Sequence, residues 1–451
     1  MDLVIKNGLV IDPKPRICSK LNIGVCKGKI VEVTNNDIAG DRIIDAEGAV
    51  VCPGFIDAHM HEDPYNAAKD AFDISIFDCM VRMGVTTAIG GNCGGGPDRP
   101  DIYLDAVDRL GLPVNFGIFV PHEALRRQTG ENDKYAKASR ENVRKMRKLA
   151  EAYLDNGCVG VSFGIRYVPG IDEEELVTIC EALKKDNKLV SAHIRDDAHN
   201  VVPSARELIN VGQRLEIPVQ VSHIGSMGAY GQMDSLLGEI DSWKSKGLDI
   251  AMDCYPYNAF STGLGETTYD DGFLERYNTG YESIEIAEGE YKGKRLSEML
   301  FMKLRKEQPK LYTIGHVMRD DEVDIAISHP NVLIGSDGVM HNFQGHPRAG
   351  GTFPRVIRRY VKEKKVLTLN EAIRKMTYLT ARRYGLESKG SLSPGSDADI
   401  VVFDYELICD NATFENPALP PSGIKYVLIN GEVAVERTEI KSRRLGKSIR
   451  K

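Results

Sequence analysis

The chain has 451 residues, 42% of them hydrophobic and 27% charged, with a formal net charge of -7. That length suits one large α/β barrel plus a smaller module with a sizeable core. The acidic balance argues against nucleic acid or an anionic membrane as partner, since either selects a concentrated basic surface.

The first residues, Met1-Asp2-Leu3-Val4-Ile5-Lys6-Asn7-Gly8, show no basic region followed by an apolar one. No stretch approaches about 18 apolar residues, so a cytoplasmic protein is expected. Nine cysteines are scattered without a CxxC pair. A disulfide framework is therefore not expected, and only Cys93 looks placed for chemistry. The Lys/Arg-rich tail from Lys441 to Lys451 reads as a solvated or frayed terminus.

Residues 1–52 read as short strands: Leu3–Ile5, Leu21–Val25, Ile30–Val33 and Arg42–Asp45. Asn7-Gly8 and Lys27-Gly28-Lys29 offer hairpin turn chemistry between them. The segment 386–451 repeats this texture at Asp399–Phe403, Lys425–Ile429 and, after the turn Asn430-Gly431, Glu432–Val435. Two β-rich ends around a different middle predict one small β-sandwich built from both termini.

Between 53 and 385, short apolar runs alternate with charged helical stretches. Eight candidate strands lie at 54–59, 85–91, 113–120, 159–165, 189–194, 218–224, 249–254 and 331–336. Most are near-continuously apolar, as strands covered on both faces should be, which predicts a (β/α)8 TIM barrel. Intervening helices are read at Glu141–Leu154 and Glu173–Lys185. The stretch 265–310 is too long for a simple loop and reads as an insertion over the barrel mouth.

Catalytic residues in such a barrel sit at the carboxyl ends of strands. Strand one ends in His59-Met60-His61, and alternation along a strand points both imidazoles to one side. Strand two runs into Asn92-Cys93-Gly94-Gly95-Gly96. Strands five and six end in His193 and His223, and strand eight ends in Ser336-Asp337-Gly338. Singly, each histidine has a bland reading as a satisfied polar residue, Cys93 as filler in a glycine-rich turn and Asp337 as a turn residue. Together, six metal-capable side chains at five strand ends read as a metal site, and a thiolate among them favours zinc.

These segments resemble the amidohydrolase superfamily and, within it, the N-acyl-D-amino-acid deacylase (D-aminoacylase) family. The matching stretches are Pro53–His61, Gly84–Thr87 with Gly91–Gly94, Ser191–Arg195, Val221–His223, Asp253–Tyr257, Ile334–Gly338, His346–Arg348 with Gly351–Arg355, and the closing Gly390–Val401. The resemblance implies a tightly held Zn²⁺ on Cys93, His193 and His223, with His59, His61 and Asp337 around a second, weaker or vacant metal position. Many superfamily members carry a metal-bridging lysine at the end of strand four. Here Val159–Tyr167 has none, which fits the cysteine-containing subgroup.

The chemistry expected is hydrolysis of a linear amide, with Asp337 taking a proton from water and passing it to the departing amine. The resemblance implies Arg348 as the clamp for a substrate carboxylate, with Tyr257 and Ser261 as further substrate contacts. His122 lies where the family has a Gly-His-x-x-Leu-Arg stretch, but Pro121 departs from it. Family members commonly carry a lysine two residues past the strand-six histidine; this chain has Gly225. The insertion is also shorter than in typical members, which would open the pocket. The expected partner is a small-molecule N-acyl amino acid or related amide, with no nucleic acid and no membrane, and a homo-oligomer stays open. Two alternatives remain: a cyclic-amide hydrolase of the hydantoinase or dihydroorotase type, and a catalytically silent barrel scaffold.

Overall fold

A computed structural model describes residues 1–451. The middle of the chain carries eight parallel strands, at Phe55–Asp57, Val85–Gly90, Asn115–Ile118, Gly160–Gly164, Leu189–His193, Val219–Val221, Ile250–Cys254 and Val332–Ile334. Every residue in them is buried, which explains why their sequences are apolar without alternation.

The eight strands are hydrogen-bonded as two sheets. The first three strands form one hydrogen-bonded sheet, and strands four to eight form another with the short pair Val120–Pro121 at its edge. The third strand changes sheet at Phe119: Asn115–Ile118 pairs with strand two, and Val120–Pro121 pairs with strand four. Backbone hydrogen bonds cross both seams: Val159 N to the Ile118 carbonyl at 2.9 Å at one, and Ala58 N to the Ile334 carbonyl at 3.3 Å, Asp337 N to the His59 carbonyl at 2.7 Å and His61 N to the Gly338 carbonyl at 2.9 Å at the other. Ile56, Ile89, Val159, Leu189 and Leu333, drawn from both sheets, share one apolar cluster with Phe119 and Tyr384.

The helices follow their local signals. Arg140–Asp155 starts at Ser139, whose hydroxyl accepts from Asn142 N, and it buries Val143, Met146, Ala150, Tyr153 and Leu154 at helical spacing. Glu173–Cys180 is capped by Asp172 in the same way and tightens into a 3₁₀ turn over Glu181–Asp186. Between strands seven and eight, Phe260–Gly263, Ile284–Ile286 and Tyr312–Gly315 form a three-stranded antiparallel sheet.

Both ends of the chain join in a single nine-stranded sheet. Leu3–Asp12 lies in its middle, antiparallel to Ile17–Cys26 and parallel to Arg42–Asp45 and Val50–Pro53. Ile400–Phe403 adds to Val50–Pro53, followed by Ile424–Ile429 and Glu432–Glu436. Ile30, on the strand at one end of this order, and Val433, near the other end, belong to the same apolar cluster, so the sheet folds over its own core.

Two expectations change. Asn7-Gly8 is not a hairpin turn; it is a bulge inside the strand Leu3–Asp12, with Asn7 at φ 58° and the register shifting between Ile5 and Gly8. A Cβ on Gly8 would lie 2.4 Å from Val51 Cγ2, so close packing against the neighbouring strand demands the glycine. The basic tail is not frayed. Gly446 and Ser448 bridge to Leu112 and Phe116, Arg443 pairs with buried Asp78 at 2.9 Å, and the Lys451 carbonyl accepts from Lys188 Nζ at 2.6 Å.

Candidate metal centre

Donor atoms of His59, Cys93, His223 and Asp337, all buried, lie within 4.8 Å of one another. Cys93 Sγ is 3.3 Å from His59 Nε2 and 3.2 Å from His223 Nε2, and Asp337 Oδ1 is 3.5 Å from His59 Nε2. They come from the ends of strands one, two, six and eight, as the strand-end reading requires.

Their backbone shows how closely they are held. Cys93, His223 and Asp337 adopt φ values of 53°, 31° and 49°, left-handed conformations that cost non-glycine residues free energy. Hydrogen bonds from outside the turn hold two of them there. His223 N donates to Asp253 Oδ1 at 2.8 Å, and Asp337 N donates to the His59 carbonyl at 2.7 Å. Buried Asp57 accepts from both His59 N and Ser336 N, tying strands one and eight together beneath the site. Burial pushes the Asp57 carboxyl up to about 7.

The histidine rings are oriented by neighbours that sequence reasoning missed. The Ser226 hydroxyl donates to the His223 carbonyl at 2.9 Å and lies 3.0 Å from His223 Nδ1. With its one proton committed, Ser226 Oγ accepts from Nδ1–H, leaving the Nε2 lone pair facing Cys93. His59 Nδ1 is 3.2 Å from Asp253 Oδ1, while Asp253 Oδ2 accepts from Gln220 at 2.7 Å. Asp253 was visible only as part of a matched stretch; its reach across two strands depends on register.

His61 and His193 flank this group of four. His61 Nε2 is 3.1 Å from Asp337 Oδ1, and the His193 ring centroid is 4.4 Å from that of His223. His193 Nδ1 is buried without a hydrogen-bond partner. Burial alone would raise the Cys93 thiol, but His59 and His223 beside it outweigh burial and hold it well below the ordinary thiol range. Burial and neighbouring His223 push His193 down to about 4. A thiolate with imidazoles and a carboxylate converging on one point is the donor set that zinc takes as it displaces the ring protons, so the residues present fit that ion.

A cavity of about 330 Å³ opens above the cluster, lined among others by His61, Cys93, Tyr167, Ser261, Asp337 and Arg348. Arg348 is 1% exposed. Its Nη1 lies 2.9 Å from Asp337 Oδ2, its guanidinium stacks 4.6 Å from the Tyr255 ring centroid, and Nε and Nη1 have no aligned hydrogen-bond acceptor. Ser261 Oγ is likewise buried and unpartnered.

Tyr257 is a correction: it does not reach the cavity. Its hydroxyl donates to the Pro347 carbonyl at 3.3 Å and its ring meets His346 edge-on, so it braces the turn carrying Arg348. His122 is buried against Glu175 at 2.8 Å, away from the cavity lining. Gly225 is tightly packed: a Cβ there would lie 2.9 Å from Cys254 Sγ, which would have to shift, and 3.4 Å from Met318 Cε.

Comparison with known proteins agrees with this layout. Two models described as amidohydrolase family match residues 50–216 and 301–435. D-aminoacylase of Alcaligenes xylosoxydans xylosoxydans is 32% identical over 95% of this chain and 93% of its own. N-acyl-D-glutamate deacylase of the same organism is 31% identical over 96% and 93%. A crystal structure of N-acyl-D-glutamate deacylase from Bordetella bronchiseptica, complexed with zinc and a phosphonate mimic of the tetrahedral intermediate, superposes with a TM-score of 0.89 at 28% identity, covering 100% of both chains. The chain therefore belongs to the amidohydrolase family, alongside the D-aminoacylases and N-acyl-D-amino-acid deacylases.

Proposed function

We propose that this protein is a zinc-dependent amidohydrolase that deacylates N-acyl-D-amino acids to the free D-amino acid and a carboxylate. The observation that carries the reading is the convergence of His59, Cys93, His223 and Asp337 at the floor of a cavity that Arg348 also lines. Cys93, His193 and His223 would hold the tight zinc, with His59, His61 and Asp337 around a second position. When bound, zinc supplies a Lewis acid that activates water and polarises the amide carbonyl.

The chain's own residues divide the remaining work. Asp337 Oδ1 takes the proton of the attacking water and passes it to the departing amine nitrogen. Burial would raise its carboxyl, but Arg348, His223, His61 and His59 outweigh burial and keep it well below the usual carboxylate range, ready as a base. Arg348 and Ser261, which both line the cavity and each carry a donor without an aligned protein acceptor, hold the substrate carboxylate and fix the scissile amide beside Asp337. The rings of Tyr167 and Tyr312 exclude water from the walls.

The architecture proposed around the site is a (β/α)8 barrel over 53–385, its two sheets closing around the shared apolar cluster. The segment of about 265–310 covers its mouth, and 1–52 and 386–451 form the accompanying sandwich. A ring-opening hydrolase is disfavoured because the end of strand four, Gly164-Ile165-Arg166, offers no lysine to bridge two metals. The test is release of free amine from N-acetyl and N-formyl D- and L-amino acids, with hydantoins alongside. Hydrolysis of the D series is expected. Ring opening of hydantoin without deacylation would contradict the reading.

A further inference from the structure

The cavity lining also carries two carboxylates, Glu123 and Glu266. Glu123 opens the helix His122–Thr129 after strand three, and Glu266 follows the strand Phe260–Gly263, so two separate elements bring them to one space. Neither carboxylate accepts a hydrogen bond from a protein donor, and their side chains are 34% and 41% exposed. Their nearest cations stand off, with Arg127 Nη1 at 3.8 Å from Glu123 and Lys134 Nζ at 3.7 Å from Glu266. Burial, reinforced by the Glu266 charge, pushes the Glu123 carboxyl up to about 7.

The other cations in the lining do not pair with these two carboxylates. Lys310 is exposed at the rim, where solvent screens it, and His341 is turned to Glu288 at 3.2 Å. Arg348 at the floor is buried, and its Nε lacks an acceptor. The cavity is therefore bipolar, lined by a guanidinium that pairs with Asp337 and lacks an acceptor at Nε, and by two carboxylates whose cations lie no nearer than 3.7 Å. A ligand that satisfies both ends carries an anion and a cation.

We infer that the preferred substrate is an N-acyl-D-amino acid whose side chain ends in an ammonium or guanidinium, its carboxylate on Arg348 and its cation between Glu123 and Glu266. This rests on the deacylase reading and adds the substrate's side-chain class. Glu123 and Glu266 are then specificity determinants that leave the metal cluster and Asp337 untouched.

The experiment compares kcat/KM of the zinc-loaded full chain on N-acetyl-D-lysine and N-acetyl-D-arginine with that on N-acetyl-D-norleucine and N-acetyl-D-glutamate. The same panel is run on Glu123→Gln and Glu266→Gln. The cationic substrates should lead the uncharged one by roughly tenfold, chiefly through KM, and each variant should narrow that ratio. Preference for N-acetyl-D-glutamate or norleucine would overturn the inference while leaving deacylation standing. A lysine preference unmoved in both variants would overturn the assignment to these two residues. Absence of turnover across the whole D panel would overturn the deacylase reading and this inference with it.

Discussion

Asp337 is held at both oxygens, Oδ1 by His61 at 3.1 Å and Oδ2 by Arg348 at 2.9 Å. Removing its charge while keeping its shape isolates the proton-transfer role: Asp337→Asn should lower kcat by roughly 10²–10⁴-fold. Steady-state amine release on protein of counted zinc content checks this, because a loss explained by missing metal would show in the count. Gly225 gives a second prediction. Its neighbours Cys254 and Met318 occupy the space that a side chain would need, so Gly225→Lys should destabilise the fold by about 1–3 kcal/mol instead of supplying a carboxylate clamp. Denaturant unfolding of the variant measures it. The donor residues were legible because each closes an apolar run, a local pattern. Asp253, Ser226, Glu123 and Glu266 were not singled out, because a carboxylate or hydroxyl gains its role from a partner that only the folded register supplies. Tyr257 misled for the same reason, since its position by family resemblance did not reveal that its hydroxyl turns to a backbone carbonyl.

Among the elements, the C-terminal tail departs furthest from its composition. A run of lysines and arginines looks solvated when read alone, yet Arg443 and Arg450 reach Asp78, Asp105 and Asp108 on two helices far away in sequence. A Cβ on Gly446 would fall 1.9 Å from the Val114 carbonyl oxygen, so the tail can lie along strand three only with glycine there. Gly446→Ala should detach the tail and lower the melting temperature by several degrees, on the order of 1–3 kcal/mol, read by thermal unfolding. The helix Leu369–Met376 makes another junction. Lys375 Nζ donates to the Ile327 and His329 carbonyls, satisfying the carboxyl end of the helix Asp320–Ser328. Burial pushes this ammonium down from 10.5 to about 7, against the weaker pull of Cys254 and Glu371 and with a small push from Arg374. Between those two values the unfolded chain binds more protons than the folded one, so this group contributes stability that increases as pH rises from about 7 towards 10.5. Lys375→Met should destabilise the protein by about 1–3 kcal/mol through two lost hydrogen bonds, and should flatten the pH dependence in that window. Urea unfolding at a series of pH values separates the two effects.

Across the whole molecule, periodicity told which segments are strands and left open how they connect. Eight apolar runs gave eight buried strands, but the break at Phe119, where one chain segment passes between two sheets, has no signature in a continuous run from Val114 to Val120. Likewise, strands from both termini were readable, while their union into one sheet followed from pairing Val50–Pro53 with Ile400–Phe403, a contact no local pattern encodes. This pairing also sets where the site forms. Val50–Pro53 in the terminal sheet leads through Gly54 directly into strand one and its histidines, so the terminal sheet and the metal cluster share one rigid stretch of chain. The central claim is that this fold gathers a zinc-holding cluster that hydrolyses amides. It is tested most directly by counting zinc per chain and amine release from N-acyl-D-amino acids, side by side, in the purified protein and in Cys93→Ser. The account predicts at least one zinc per chain with turnover in the first, and a folded Cys93→Ser that has lost both. A protein that turns over without zinc, or a Cys93→Ser variant that keeps metal and activity, would contradict it.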